Sequence, residues 1–355
     1  MTEVELDKTR AVRAGEELDV PKLEAFLAKE IADVAAPIVV EQFPGGHSNL
    51  TYLVSDARGR ELVLRRPPFG NRVKTAHDMG REYKILSKLS VVYPPAPRPL
   101  AYTENAEILG SPFYVMERIR GVVLRRGSPV VLTTQTARAL CESFVDNLVL
   151  LHAVDPAAAG LGDLGKPEGY IARQVTGWTK RYADAATDDI PEMNEMATWL
   201  AANLPADGLP AIIHNDYKFD NLVLDAGDLT KIRGVLDWEM STLGDRRMDL
   251  GTALGYWVEA GDAEEIRSFA FGPTNLPGCM TRREIVDRYA DKSGVDVSNM
   301  LFYFAFSLFK TAGVAQQIYW RYKQGLTKDE RFGAFILGVR VLSAAAVQAV
   351  ARGGI

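Results

Sequence analysis

The sequence predicts an α+β fold, with a small β-rich N-terminal lobe that carries one long helix and a larger, mainly helical C-terminal lobe. Short apolar runs of strand character, separated by glycine-containing turns, occupy the first third of the chain. Long stretches with helical periodicity dominate after Gly121, and one short β-rich patch at 211–237 interrupts them. A chain of 355 residues is long enough for two such lobes, which we place at 1–117 and 118–355.

In the N-terminal part, residues 1–20 have the character of a loosely held arm. The segment 21–33 predicts a helix, with Pro21 suited to its first turn. A second helix is expected at 75–89. Four strands are expected in this lobe, at 38–43, 50–54, 61–65 and 112–116.

In the C-terminal part, the β-rich patch contains two apolar runs, 222–224 and 232–236, around a DAGD turn, and this pattern predicts an antiparallel hairpin. Such a hairpin would place position 221 opposite position 237. Helices are expected at 133–153, 168–184, 191–203, 248–259, 281–292, 298–323 and 328–352.

Composition narrows the class of protein. The net charge is −5 without long blocks of one sign, which argues against a nucleic-acid or anionic-membrane partner. Two cysteines offer neither a disulfide framework nor metal-ligand spacing. The polar start is unlike a signal peptide, and the apolar run 300–309, which Lys310 ends, is too short to span a bilayer. We therefore expect a cytoplasmic protein.

The segment HNDYKFDN, residues 214–221, carries the strongest functional signal. It lies between the apolar runs 211–213 and 222–224, so its polar groups must lie close to the core. The predicted hairpin brings Asn221 towards Asp237, with Asp216 one loop away. Two carboxylates and an amide oxygen at one point repel one another unless a cation joins them, and such oxygen ligands suit Mg²⁺. The alternative is that both aspartates only cap turns.

A second signal lies in the N-terminal lobe. Glu82 interrupts an otherwise apolar stripe of the helix 75–89, where an unpaired carboxylate is costly. Arg65, on the strand 61–65, supplies a cation, whereas Arg66 lies on the opposite strand face. The alternative is that Arg65 and Glu82 are surface charges that face solvent.

The turn PGGHSN, at 44–49, is a further candidate. Its glycines permit close approach of the backbone to a phosphate, and Ser48 adds a hydroxyl. An ordinary hairpin turn has the same appearance.

Together these motifs resemble a known family. The spacing H-x-D-x-x-x-x-N is that of the catalytic loop of protein kinases and their relatives. "LVLR" and "VLDWE" in place of the protein-kinase versions resemble the aminoglycoside phosphotransferase and choline kinase family. Taken together, the motifs from "GGHSNLTY" to "LDWE" and "GD" are most similar to those of the kinase-like domain fused to certain acyl-CoA dehydrogenases. The resemblance covers most of the chain to about residue 255 and implies a protein kinase-like fold.

The resemblance also implies roles for particular residues. Asp216 would accept the proton of the acceptor hydroxyl, and Lys218 would steady the transferred phosphoryl group. Asn221 and Asp237 would bind the metal, whereas His214, Asp245 and Asp249 would be structural. The residues that would contact ATP are Gly45, Gly46, His47, Ser48, Asn49, Arg65 and Glu82, with backbone groups of Glu117 and Ile119.

The implied function is transfer of the γ-phosphate of ATP, with Mg²⁺, to a hydroxyl of a small molecule. The dehydrogenase-linked resemblance favours a hydroxylated acyl compound as acceptor, and sugars, choline-like alcohols and amino alcohols remain open. A protein of another class, an inert kinase-like binder of a nucleotide or metabolite, would have lost the chemical residues, whereas Asp216, Asn221 and Asp237 are all present.

Overall fold

A computed structural model describes residues 8–44, 49–69, 78–125, 130–327 and 329–355. The chain divides into two compact units. The first comprises Met1–Val123, Ala159–Leu161 and Leu222–Glu239, and the second comprises Leu124–Ala158, Gly162–Asn221 and Met240–Ile355. The division at residue 117 into a nucleotide-binding lobe and an acceptor lobe remains a prediction, because compactness assigns no role to either unit.

Nine strands lie in the described residues. They are β1 (Val39–Gln42), β2 (Leu50–Ser55), β3 (Glu61–Arg66), β4 (Pro99–Thr103), β5 (Phe113–Glu117), β6 (Pro210–Ile213), β7 (Leu222–Leu224), β8 (Ile232–Val235) and β9 (Thr242–Asp245). The first five form one antiparallel sheet in the order β1-β2-β3-β5-β4. All four strands expected in this part are present. The pattern missed β4, an edge strand whose first residue is a proline, which is where a sheet tolerates one.

Eleven α-helices lie in the same described ranges. They are α1 (Val20–Glu30), α2 (Met79–Val92), α3 (Ala106–Leu109), α4 (Thr134–His152), α5 (Tyr170–Ala185), α6 (Pro191–Ala202), α7 (Arg246–Tyr256), α8 (Glu264–Arg267), α9 (Arg282–Ser293), α10 (Met300–Lys323) and α11 (Phe335–Arg352). The expected helices are present, and the sequence missed only the short helices α3 and α8. The expected start of α2 at residue 75 lies outside the described residues.

The core of the first unit forms between its sheet and α1. Asp19 caps α1, because its side chain accepts a hydrogen bond from the Lys22 N–H, and Pro21 lies in the first turn. Leu23 and Leu27 then face the sheet and are fully buried with side chains from β2, β3 and β5. This packing fixes β3, the strand that carries Arg65.

The hairpin of β7 and β8 also belongs to the first unit, and its predicted register is wrong by one residue. Leu222 pairs with Val235, and the register shifts again before Leu224. A 3₁₀ turn ends at Asn221, and another begins at Trp238, so neither predicted metal ligand lies in the ladder. The alternating pattern gives the strands but not the irregular turns at their ends.

The second unit is mainly helical and centres on α10. Every residue from Phe302 to Lys310 is buried, so the apolar run is the core helix that the sequence predicts. Helices α5, α7 and α11 pack against α10. The strands β6 and β9 pair antiparallel beside this core, and the sequence did not predict β9.

One helical segment in the described ranges, Glu330–Arg352, is long and apolar enough to cross a membrane, with a mean hydropathy of 1.8. One such helix is weak evidence for a membrane span, because core helices have the same length and composition.

Candidate active site

The loop 214–221 begins where β6 leaves the core of the second unit. His214 is fully buried, as expected for a structural histidine, and its Nδ1 accepts a hydrogen bond from the Asp216 N–H at 3.2 Å. Asn215 follows with a φ of 64°, in the left-handed region that asparagine tolerates better than most residues. This turn of the backbone brings Asp216 out of the core to a position where its side chain is 15% exposed.

Asp249, on α7, anchors the start of this loop. Its carboxylate accepts the backbone N–H groups of His214 and Asn215, each at 2.6 Å. Its Oδ2 also lies 3.1 Å from Nε2 of His152, whose Nδ1 is 2.7 Å from the Tyr289 hydroxyl. Burial alone would raise the pKa of Asp249, but these hydrogen bonds and the two imidazoles lower it. The structural role expected for Asp249 is confirmed.

The sequence pattern associates no other histidine with His214, but the structure links His152 to it through Asp249. The two residues are 62 positions apart in the chain, and both interact with Asp249. No local pattern in the sequence connects them.

Asp216 is the centre of a polar group within the loop. Lys218 Nζ donates to both of its carboxylate oxygens, at 2.9 and 2.7 Å. The Asn221 amide nitrogen donates to Asp216 Oδ2 and to the Asp216 backbone oxygen, both at 2.9 Å. The structure thus brings together three of the predicted site residues. Because the Asn221 nitrogen is committed to Asp216, its amide oxygen is the atom that fits the predicted metal role.

Lys218 is held as a cation by its surroundings. Burial works to lower the pKa of Lys218, but the charges of Asp216 and Asp220 outweigh it and raise this pKa. Its Nζ lies 4.9 Å from the ring centre of Tyr256 and 5.6 Å from that of Phe271. Neither ring was predicted from the sequence.

Asp220 is the second acid beside Lys218, with its Oδ1 4.0 Å from Nζ. Burial is the largest influence on this carboxyl and raises the pKa of Asp220 to about 6, although Lys218 opposes the shift. The loop therefore contains one acid with a perturbed pKa that the motif does not account for.

In the first unit, Arg65 lies between two acids. Its Nη1 is 3.5 Å from Glu82 Oε1, and its Nη2 donates to Asp237 Oδ1 at 2.8 Å. The side chains of Arg65 and Glu82 are 9% and 2% exposed, so the alternative of solvent-facing charges is wrong. Arg66, on the other strand face, donates to the Leu109 carbonyl instead.

The pKa directions show how these charges depend on one another. Burial raises the pKa of Glu82, the Arg65 charge opposes this, and Asp237 adds to it. Burial would lower the pKa of Arg65, but Glu82 and Asp237 outweigh it. The charge of Arg65 therefore depends on the two carboxylates, and the charge of Glu82 depends on Arg65.

Asp237 has a φ of 67°, in the same left-handed region as Asn215. Such backbone conformations cost energy and occur preferentially at functional sites. Asp237 belongs to the first unit and Asn221 to the second, and their joint role as metal ligands stays a prediction. No group of three or more His, Cys, Asp or Glu side chains within the described ranges is arranged to hold a metal.

Glu239 is a site residue that the sequence analysis missed. Its Oε2 accepts a hydrogen bond from Asn49 Nδ2 at 2.7 Å and lies 4.0 Å from Arg65 Nη2. Its backbone oxygen accepts from Arg81 Nη1 at 3.3 Å. Glu239 is the last residue of the motif VLDWE. Its place two positions after Asp237 was the feature of the sequence that could have indicated a role in the site. The other predicted phosphate-turn residues, Gly45, Gly46, His47 and Ser48, lie outside the described residues.

The predicted adenine contacts, Glu117 and Ile119, line a cavity of about 550 Å³ in the first unit. The Glu117 N–H already donates to the Arg98 carbonyl at 3.0 Å, so this donor is occupied. The Ile119 side chain packs directly over Gly234 of β8. A Cβ added at Gly234 would lie 2.7 Å from the Ile119 Cδ1 atom. Adenine binding by these two residues stays a prediction.

The model of the phosphotransferase enzyme family, APH, matches residues 39–282. A rat protein named acyl-CoA dehydrogenase family member 11 is 34% identical over 349 residues, and the match covers 92% of this chain but 43% of the relative. The chain thus spans less than half the length of this curated relative.

Two solved structures are similar along most of the chain. A provisionally assigned aminoglycoside phosphotransferase from Ralstonia eutropha has a TM-score of 0.81 at 29% identity, with 95% of this chain and 99% of that chain covered. Choline kinase from Cryptosporidium parvum has a TM-score of 0.67 at 13% identity, with 94% and 96% covered. The predicted protein kinase-like fold is confirmed by both.

Proposed function

This chain belongs to the phosphotransferase enzyme family, and on that premise we propose that it transfers the γ-phosphate of ATP to a hydroxyl group of a small molecule. The observation that carries the proposal is the position of Asp216, whose carboxylate is held by Lys218 and Asn221 and is still 15% exposed. A carboxylate oriented in this way is suited to accept a proton from a hydroxyl.

In the proposed reaction, Asp216 accepts the hydroxyl proton and orients the acceptor oxygen, while Lys218 keeps a positive charge beside it. Arg65 adds charge for the nucleotide phosphates, and Glu82 holds its guanidinium in place. Asn221 and Asp237 supply the oxygen atoms that fit Mg²⁺, which when bound would neutralise the phosphate charge. Asn49 and the preceding glycine turn are proposed to contact the phosphates.

For the acceptor, we propose a hydroxylated acyl compound. The support is the similarity to a relative named as an acyl-CoA dehydrogenase family member. A hydroxyl on an acyl chain has the same reactive group as the alcohols of the choline kinase and aminoglycoside phosphotransferase classes, so the chemistry at Asp216 does not have to change.

The test is turnover of Mg-ATP by the purified chain against hydroxyacyl compounds, sugars, choline analogues and aminoglycosides, with the phosphorylated product identified by mass spectrometry. Asp216→Ala is expected to lower turnover by a factor of about 10² to 10⁴, while nucleotide binding persists. Asp184→Ala is the matched control, because Asp184 is an exposed acid that pairs only with Lys180 among the described residues.

Two results would contradict the proposal. One is an Asp216→Ala variant with near-normal turnover, which would remove Asp216 from the reaction. The other is a wild-type chain that binds nucleotide and phosphorylates no member of the panel, which is the behaviour of an inert binding protein.

A further inference from the structure

The second unit contains a cavity of about 400 Å³ beside the loop 214–221. This volume is within the range of small-molecule sites. Its lining includes four basic side chains and no acidic one. The lining residues are Lys166, Tyr170, Arg173, Gln174, Trp178, Arg181, Asn215, Met240, Thr242 and Lys310. For a chain with a net charge of −5, such a concentration of positive charge is a specific feature.

Lys310 is the most informative of these residues. It lies within the buried face of α10, 6% exposed, and its Nζ donates to the Asn215 carbonyl at 3.1 Å. In the described part of the chain, no carboxylate lies within ion-pair distance of this ammonium group. Burial lowers the pKa of Lys310. A buried ammonium with one neutral acceptor is costly, and a bound anion would compensate that cost.

The other cations are placed to complete such a site. The Arg181 guanidinium carbon lies 4.9 Å from the ring centre of Trp178, which orients it at the cavity wall. Arg173 donates to the backbone carbonyls of Lys166 and Glu168. Over the described ranges, these basic side chains also have no carboxylate partner.

The cavity is next to the proposed reaction centre. Asn215, in its lining, directly precedes Asp216, and the Tyr170 hydroxyl is hydrogen-bonded to the Asn215 amide. Burial lowers the pKa of Lys310, and the charges of Asp216 and Asp249 only partly oppose this shift. A ligand in this cavity therefore lies beside Asn215, the residue that directly precedes Asp216.

We propose that this cavity binds a negatively charged group of the acceptor, a carboxylate or a phosphate, and so positions the acceptor hydroxyl at Asp216. This inference rests on the proposed function and specifies the substrate class: the acceptor is an anion, and polycationic aminoglycosides are excluded. Charge selection of this kind works by both attraction and repulsion, because a cationic acceptor would place like charges together.

The first experiment measures binding without chemistry. Isothermal titration calorimetry on the full chain, with and without a non-hydrolysable ATP analogue, compares hydroxyhexanoate with its methyl ester and glycerol phosphate with glycerol, and adds choline. We expect binding of at least one anion and at least tenfold weaker binding of its neutral partner and of choline. Binding of hydroxyhexanoate alone identifies a carboxylate site, and binding of glycerol phosphate alone identifies a phosphate site.

Variants then assign the binding to the cavity. Lys310→Met is expected to weaken binding of the anion about tenfold or more, because a charge-assisted contact is lost. Arg181→Gln, on an exposed part of α5, is expected to weaken it about two- to fivefold. Lys180→Gln is the matched control, since Lys180 is the neighbouring residue and pairs with Asp184 at 2.8 Å. Arg181→Gln keeps the test valid if the buried substitution prevents folding.

The outcomes separate this inference from the proposed function. If the neutral analogues or choline bind as tightly as the anions, or if Lys180→Gln loses as much affinity as Arg181→Gln, the anion site is wrong. If anions bind and no phosphorylated product forms, phosphotransfer is wrong and the anion site stands. In turnover assays, Arg181→Gln is expected to raise the KM of the anionic acceptor and leave kcat within about twofold.

Discussion

Arg65→Met is expected to destabilise the first unit strongly, and in a pH-dependent way. In the wild-type chain, Arg65 compensates the charge of Glu82, which is 2% exposed, at 3.5 Å. At an effective dielectric constant of about 20, opposite charges at that distance attract by about 5 kcal/mol. Removal of one partner from a buried pair typically costs about 3–5 kcal/mol. Asp237 also loses a partner, but its side chain is 33% exposed, so water can partly replace the contact.

The pH dependence follows from the pKa of Glu82. Burial already raises this pKa in the folded chain, and loss of Arg65 would raise it further. A carboxyl with a raised folded pKa binds its proton more tightly in the folded state, so stability falls as pH rises from the unfolded pKa to the folded one. The loss of unfolding free energy in Arg65→Met, relative to wild type, should therefore be larger at about pH 8 than at about pH 5, where Glu82 can remain neutral.

The assay is urea unfolding at both pH values, followed by circular dichroism. Arg65→Met/Glu82→Leu is expected to recover most of the lost stability, because it removes the unpaired charge. Lys22→Met is the control, since the Lys22–Asp19 pair is exposed and should contribute less than about 1 kcal/mol. A deficit below about 1 kcal/mol, equal at both pH values, would refute the assignment of Arg65 and Glu82 as an interdependent buried pair.

The remaining predictions concern the loop 214–221 and its surroundings. Asp249→Asn should lower turnover at least about tenfold and should also lower the melting temperature. The reason is that an amide offers one oxygen, whereas two loop N–H groups need an acceptor. An unchanged kcat would mean that the loop does not need this anchor. Asp220→Asn should raise the free energy of unfolding relative to wild type at about pH 8 but not at about pH 4. Burial raises the pKa of Asp220 to about 6, so its ionisation above that pH opposes folding of the wild-type chain. Urea unfolding at the two pH values measures this, and an equal effect at both would contradict it. Gly121→Ala should lower the melting temperature by several degrees because its Cβ would collide with the Leu224 carbonyl, whereas Gly261→Ala has open space and should not; equal effects would contradict the close backbone approach.

Much of the site was predictable because the signals are local in the chain. The loop 214–221 contains Asp216, Lys218 and Asn221 within six positions, so a single turn of backbone brings them together. Arg65 and Glu82 were predictable for a different reason: each is a charge in an apolar pattern, and two such charges stabilise each other when buried.

Other features left no local signal. The register of the β7–β8 hairpin depends on irregular turns that the alternating pattern does not encode. The association of His152 with Asp249 depends on how α4 and α7 pack, and no periodicity within either helix reports it.

The sequence by itself determined the fold class, the polar loop 214–221 and the buried ion pair, because these follow from hydrophobic periodicity and from residue types a few positions apart. The tertiary structure decided what surrounds that loop. Lys310 illustrates the difference: in the sequence it is the charge that ends an apolar run, whereas in the folded chain it is buried against Asn215, 95 residues away. The environment of a charge is set by residues distant in the chain, and only packing brings those residues together.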